Sequence, residues 1–178
     1  GGILQEHPDM RKVPGIDMST GSLGQGLSVG AGMAWAGKYK KKDNRVYVLM
    51  GCGEIQEGQI WEAAMSASHL KLDNLIGIID YNRVQVNGPI DRLMNVEPLS
   101  NKWKAFGWEV KKVDGHNISE IIDTIELIKD SKGSPKVIIA YTVKGKSISF
   151  MEGKHEFHAA TLTKEEYELA IKELEQIK

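Results

Sequence analysis

The run Leu75-Ile76-Gly77-Ile78-Ile79-Asp80 carries no polar side chain until its last residue. Such a strand must be covered on both faces, which is the situation of a strand inside a parallel sheet flanked by helices. Arg45 to Met50 (RVYVLM), Trp108 to Val113 and Lys136 to Thr142 (KVIIAYT) read as three more strands. Between these runs the apolar period lengthens to that of a helix. Ser22 to Lys42, rich in small residues and closing on Lys40-Lys41-Lys42, predicts a buried helix with cations at its carboxyl end. Ile60, Trp61, Ala64, Met65 and Leu72 recur at helical spacing after the turn Gly51-Cys52-Gly53. Asn117 with Glu120 resembles a capping box ahead of Ile118, Ile121, Ile122, Ile125 and Ile128, which share one helix face. Thr163 with Glu166 opens a last helix striped by Tyr167, Ala170, Ile171, Leu174 and Ile177. Strand and helix thus alternate without an internal repeat. The predicted fold is α/β: a doubly wound, mainly parallel sheet with helices on both faces. Trp35 and Trp61 are assigned to core or interface packing.

A chain of 178 residues suits one domain, residues 1–178. With 23 Lys and Arg against 24 Asp and Glu it has a net charge of -1, so neither nucleic acid nor a membrane surface is expected as a partner. No apolar run approaches the roughly 20 residues that span a bilayer. Cys52 is the single cysteine and has no internal disulfide partner, which fits a cytoplasmic protein. The opening Gly1-Gly2-Ile3 lacks an initiating Met and is expected to be the start of a fragment.

Open parallel sheets bind ligands at the carboxyl ends of their strands, where Cys52, Asn82 and Thr142 are expected to fall. Glycines leaving a strand let the backbone approach a diphosphate closely, and a following helix N-terminus supplies N–H donors. The turn Gly51-Cys52-Gly53-Glu54, with Asn82 in Asp80-Tyr81-Asn82 thirty positions after Cys52, resembles the thiamine diphosphate signature Gly-Asp-Gly followed by Asn, except at Cys52. Glu54-Ile55-Gln56-Glu57-Gly58-Gln59-Ile60-Trp61-Glu62-Ala63-Ala64-Met65 resembles the transketolase form of the next segment. Ser19-Thr20-Gly21-Ser22-Leu23-Gly24-Gln25-Gly26 resembles the transketolase loop against the aminopyrimidine ring, with Ser22 where many relatives have proline. Glu6-His7-Pro8-Asp9 resembles its substrate-side His-Pro-acid element, and the resemblance runs on to the loop from Phe150 to Ala160.

This resemblance implies a thiamine diphosphate-binding fold, two-carbon ketol transfer between sugar phosphates, and a place in carbohydrate metabolism through the pentose phosphate pathway. It implies thiamine diphosphate and Mg2+ or Ca2+ as cofactors. Gly21, Ser22, Leu23, Gly51, Gly53, Glu54, Asn82 and His158 would contact thiamine diphosphate, and Cys52, Asn82 and the Val84 carbonyl would hold the metal. His7 would contact substrate, and Glu57 would be the interface glutamate that links paired active sites. The glutamate that activates the cofactor comes, in the family, from a pyrimidine-binding domain absent from these residues, as is the segment bringing further histidines. A C-terminal, pyrimidine-domain subunit is therefore expected as partner, in a homo- or hetero-oligomer.

Each residue also has a plainer reading. Asn82 could cap the turn after its strand, Glu57 could be an acid favoured by a helix dipole, and His7, His155 and His158 could be surface histidines. A thiol is a soft ligand where Mg2+ prefers carboxylate oxygen, so Cys52 is expected to weaken metal binding, and a zinc-binding thiolate would lack companion ligands in the sequence. The second hypothesis is accordingly a non-catalytic transketolase-like assembly or regulatory protein. A nicotinamide-dependent dehydrogenase is set aside, because Gln56 stands where its third glycine would be.

Overall fold

The four apolar runs pair as parallel strands in the computed structural model, which describes residues 3, 5 and 7–177; Gly1, Gly2 and Glu6 lie outside the described residues. In chain order the elements begin with helix α1 (Gln25–Tyr39), strand β1 (Val46–Gly51), a 3-10 turn (Glu54–Gln56), α2 (Gly58–His69) and β2 (Leu75–Tyr81). A small hairpin of β3 (Val84–Gln85) and β4 (Gly88–Pro89) follows, then α3 (Ile90–Leu93), α4 (Leu99–Ala105), β5 (Glu109–Asp114), α5 (Ile118–Ile128) and β6 (Lys136–Tyr141). A second 3-10 turn (His155–His158) and α6 (Lys164–Glu175) complete the chain. The main sheet has the order β1-β2-β6-β5. Every pairing in it is parallel, with Leu49 beside Ile78, Ile78 beside Ile138 and Ile138 beside Lys111.

Helices cover both faces, as the sequence predicts, but unequally. On one face Leu27 and Ala34 of α1, Ile60 and Ala64 of α2 and Trp103 of α4 close over Met50, Ile79 and Ile139. Trp103 lies 4.8 Å from Trp108 and 5.2 Å from Trp61, ring centre to ring centre. On the other face, among the described residues, only α5 packs down, setting Ile121, Ile125 and Ile128 on Ile76, Ile78 and Ile138. Tyr47 and Leu49 of β1 belong to the same face and lie beyond its reach, 48% and 72% exposed. Among the described residues, no strand pairs with the outer edge of β1.

Several expectations need correction. The first helix is shorter than Ser22 to Lys42 and is buried only on the face of Leu27, Gly30, Ala34 and Gly37, while Trp35 is half exposed and stacks on Tyr39 at 5.5 Å. Asn117 does cap α5, its side chain accepting from the Glu120 N–H at 3.1 Å, but Ile118 and Ile122 face solvent because one helix cannot bury so wide an apolar arc. The capping box of Thr163 and Glu166 is complete, yet of the α6 stripe Tyr167, Ile171, Leu174 and Ile177 are exposed and only Ala170 is buried. Helix α4 lies in a stretch to which the sequence reading assigned no element.

Candidate functional site

Three strand ends meet at one edge of the sheet. β1 delivers Gly51 and the turn Cys52-Gly53, β2 delivers Asp80 to Asn82, and β6, on the far side of β2, delivers Thr142. Strands run in parallel, so their carboxyl ends must share an edge, and β2 lies between β1 and β6. The turn after β1 is not followed directly by a long helix: the 3-10 turn Glu54–Gln56 intervenes and α2 begins only at Gly58.

The three positions assigned to metal binding converge. Cys52 is buried, and its thiol lies 3.4 Å from Asn82 Oδ1 and 3.6 Å from the Val84 carbonyl oxygen, close enough to donate to either. Burial pushes the Cys52 thiol above its usual range, so it is held as S–H. The Asn82 amide is oriented by its neighbours: Nδ2 donates to Asp80 Oδ2 at 3.0 Å, and Oδ1 accepts from the Val84 N–H at 2.9 Å. The Thr142 hydroxyl donates to the other Asp80 oxygen. Asp80 thus fixes which way Asn82 turns its carbonyl.

Glu54 joins two segments far apart in sequence. Its Oε1 accepts from the Gly24 N–H at 3.0 Å and its Oε2 from the Gly51 N–H at 3.1 Å. Gly24 has a left-handed backbone (φ 83°), and a Cβ there would come within 3.0 Å of Glu57 Cβ, so the loop before α1 lies directly on the turn after β1. Gly21, Ser22 and Leu23 are exposed on that loop. A Cβ on Gly21 would stand 2.7 Å from the His7 ring, and the Thr20 N–H donates to the Pro8 carbonyl at 3.2 Å, which brings His7 to the same loop. Gly53 faces the hairpin, where a Cβ would meet Gln85 at 3.2 Å. Gln56 reinforces that contact by donating to Gln85 Oε1 at 2.7 Å. Glu57 is exposed at the entry to α2 and accepts no side-chain cap bond. His158 is exposed on the second 3-10 turn, which packs against the β3–β4 hairpin, while His155 is half-buried beside it.

A pocket of about 430 Å³ opens between Asp80 and Asn82 on one side and Gly115, His116, Thr142 and Lys144 on the other. His116 was missed by the sequence reading. Its Nε2 accepts from the Val143 N–H at 2.8 Å, which ties the end of β5 to the loop after β6. Its signal was position: it follows Asp114-Gly115 directly at a strand's carboxyl end.

The donor chemistry can be tested against the groups the resemblance implies. A diphosphate fits: beside Gly51 there is open space, and the Gly53 and Glu54 N–H groups have no acceptor among the described residues. Mg2+ or Ca2+ does not fit, because both require oxygen ligands and the innermost donor is a thiol. Among the described residues, no three His, Cys, Asp or Glu side chains come together as an alternative cluster. No described helix is long and apolar enough to cross a membrane.

Comparison with known proteins gives the family. Residues 3–175 match the family described as transketolase, thiamine diphosphate binding domain. The chain is 48% identical over 176 residues to a 6-deoxy-6-sulfo-D-fructose transketolase subunit of Clostridium sp. (strain MSTE9), covering 99% of this chain and 64% of that protein. It is 46% identical over 176 residues to an apulose-4-phosphate transketolase subunit of Phocaeicola vulgatus, covering 99% of this chain and 62% of the relative. The chain therefore spans somewhat under two thirds of the length of these relatives. Among solved structures, the transketolase of Campylobacter jejuni superposes with a TM-score of 0.86 at 35% identity, over 93% of this chain and 27% of that one.

Proposed function

Because the chain belongs to the transketolase thiamine diphosphate-binding family, we propose that it is the cofactor-holding part of a split transketolase, completed by a separate pyrimidine-domain subunit. The observation that carries this reading is the convergence of Cys52, Asn82 and Val84 beneath an open glycine turn, with Glu54 drawing the Gly21–Gly24 loop onto the same spot. The N–H groups of Gly53 and Glu54, with Gly51 leaving room and Asn82 and His158 at the rim, would hold the diphosphate. Gly21, Ser22 and Leu23 would meet the aminopyrimidine. When bound, thiamine diphosphate supplies the carbanion chemistry of two-carbon ketol transfer. The chain's own residues position it and shield it, and His7 reaches the substrate side of the Gly21 loop. Glu57 stands where a partner subunit could be linked to this site.

A partner is supported by apolar side chains left exposed on α1 (Trp35 and Tyr39), on α2 (Met65) and on the loop before α1 (Leu23). Trp35 and Tyr39 stack at 5.5 Å, and exposed apolar surface of this kind is suited to an interface. Relatives named as subunits support it further. Since those two are named for different sugars, the reading extends to phosphorylated or sulfonated ketoses as a class, in a cytoplasmic setting that suits an unpaired cysteine.

Calorimetry with thiamine diphosphate, on the full chain alone and mixed with a pyrimidine-domain subunit, tests the reading. Uptake, followed by ketol transfer in the mixture, is the expected result; no uptake by either wild type or Cys52→Asp, with Mg2+ and the partner present, refutes it. One observation favours a second reading, a non-catalytic assembly or regulatory member: the thiol at the centre of the donor set. If Cys52→Asp binds thiamine diphosphate and turns over with the partner while the wild type only assembles with it, that second reading holds.

A further inference from the structure

The mismatch at Cys52 has a direction. Its thiol does not hang in an empty socket: it points at both oxygens that a cation would need, 3.4 Å from Asn82 Oδ1 and 3.6 Å from the Val84 carbonyl. The single S–H proton therefore already lies where a metal would sit between the sulfur and the two oxygens. Mg2+ would have to displace that proton and accept sulfur in its shell, which a hard ion that dehydrates reluctantly does poorly. A thiophilic ion differs in both respects. Bonds of about 2.3 Å to sulfur and 2.1 Å to oxygen at a tetrahedral angle put those donors about 3.6 Å apart, so such an ion could replace the proton with the side chains where they stand. The oxygens are not free to turn away, because Asn82 is held by Asp80 and Asp80 by Thr142. Cys52 is the chain's one cysteine, so thiolate ligation can occur here and nowhere else.

We infer that the notch formed by Cys52, Asn82 and Val84 discriminates between cations by softness: it refuses Mg2+ and Ca2+ and takes a thiophilic divalent ion of the zinc and cadmium class. On binding, the Cys52 S–H bond breaks, a sulfur–metal bond forms, and the proton leaves to solvent. Asn82 Oδ1 and the Val84 carbonyl supply two further ligands. The inference rests on the diphosphate reading only for the remaining positions of the metal's shell, which phosphate oxygens or water would fill.

The experiment uses the full chain with Cd2+ as probe, reading the ultraviolet sulfur-to-cadmium charge-transfer band. Thiamine diphosphate binding is followed in parallel by calorimetry, with Mg2+, with Cd2+ and with chelator. One equivalent of Cd2+ per chain should saturate the band in the wild type, and Cys52→Ser, close in size, should lose it. Mg2+ should leave the wild-type affinity for thiamine diphosphate within about twofold of its value in chelator. In Cys52→Asp, Mg2+ should raise it at least tenfold, since changes one shell further out already alter metal affinity by about 10–100-fold. A wild type without a saturating band, or one whose affinity rises with Mg2+ as much as that of Cys52→Asp, overturns the inference. If no variant binds thiamine diphosphate, the reading of function falls, and the cadmium band of the wild type against Cys52→Ser still decides the choice of ion. Should Cys52→Asp fail to fold, the Cys52→Ser comparison and the Mg2+ response of the wild type decide it alone.

Discussion

The two faces of the sheet are finished to different degrees. Over one face, α1, α2 and α4 bury a continuous core that reaches from Leu27 through Trp103 to Trp108 and leaves the strand residues beneath it inaccessible. Over the other, α5 covers the row of Ile78 and Ile138 but stops short of Leu49, the next member of that row. The difference teaches where stability originates and where it can be borrowed. The face under α1 and α2 carries the turn after β1, so the site's floor is held by the part of the molecule that is self-sufficient. Burial of apolar area is the main stabilising term, at about 25 cal/mol per Å², and the face under α5 has left part of it unrealised.

This contrast can be broken by experiment. The largest effect is expected at Trp103, which is fully buried and touches Trp61 and Trp108. Trp103→Ala should cost about 3–5 kcal/mol in urea-unfolding stability. On the other face, Ile128→Ala should cost about 2 kcal/mol, the low end for such a truncation, because its neighbours Ile121 and Ile125 are only partly covered and can settle into the space. Equal losses at the two positions would erase the distinction between the faces.

A smaller and local effect belongs to α6, tied to the loop after β6 by Glu173. Its carboxylate accepts from the Ser149 hydroxyl at 2.6 Å and the Ser149 N–H at 2.7 Å, and those bonds hold its pKa below the usual carboxylate range. A group whose folded value is depressed stabilises the fold above its unfolded pKa, about 4.3 for glutamate, and that contribution is lost as pH falls through the folded value. Amide exchange in α6, corrected for its intrinsic pH dependence, should therefore speed up below about pH 4.3 in the wild type. In Glu173→Gln it should show no such step. The smallest effect is expected at Leu49: in the isolated chain Leu49→Ser should change stability by no more than about 0.5 kcal/mol. A clear loss from that substitution would mean that the face under α5 is covered in solution after all.

Strands β1, β2 and β6 could be read from sequence because each is a nearly continuous apolar run, the pattern of a parallel sheet flanked by helices; β5, with Lys111 and Lys112 at its centre, shows that pattern less plainly. Helix α4 could not be, since its seven residues show only Leu99 and Trp103 as apolar anchors, too few to display a period. The isoleucines of α5 gave the right helix but too wide a buried face, because periodicity tells which side is apolar and not how much of it a neighbour covers. At the site, the pairing of Cys52 with Asn82 came from spacing and resemblance. Glu54's role did not, as nothing in its neighbourhood announces that Gly24, thirty positions earlier, will come alongside. The anchoring of Asn82 by Asp80 and Thr142 was hidden for the same reason: it depends on which strands lie next to each other, and β6 reaches β2 only through the tertiary fold.

The two-handed grip of Glu54 sets a rule for how this corner of the molecule can evolve. One carboxylate measures the gap between two loops, and aspartate, shorter by a methylene, could reach only one of them. Substitution at position 54 is therefore coupled to the path of the chain at position 24. A lineage must change the acid and the left-handed glycine together or keep both.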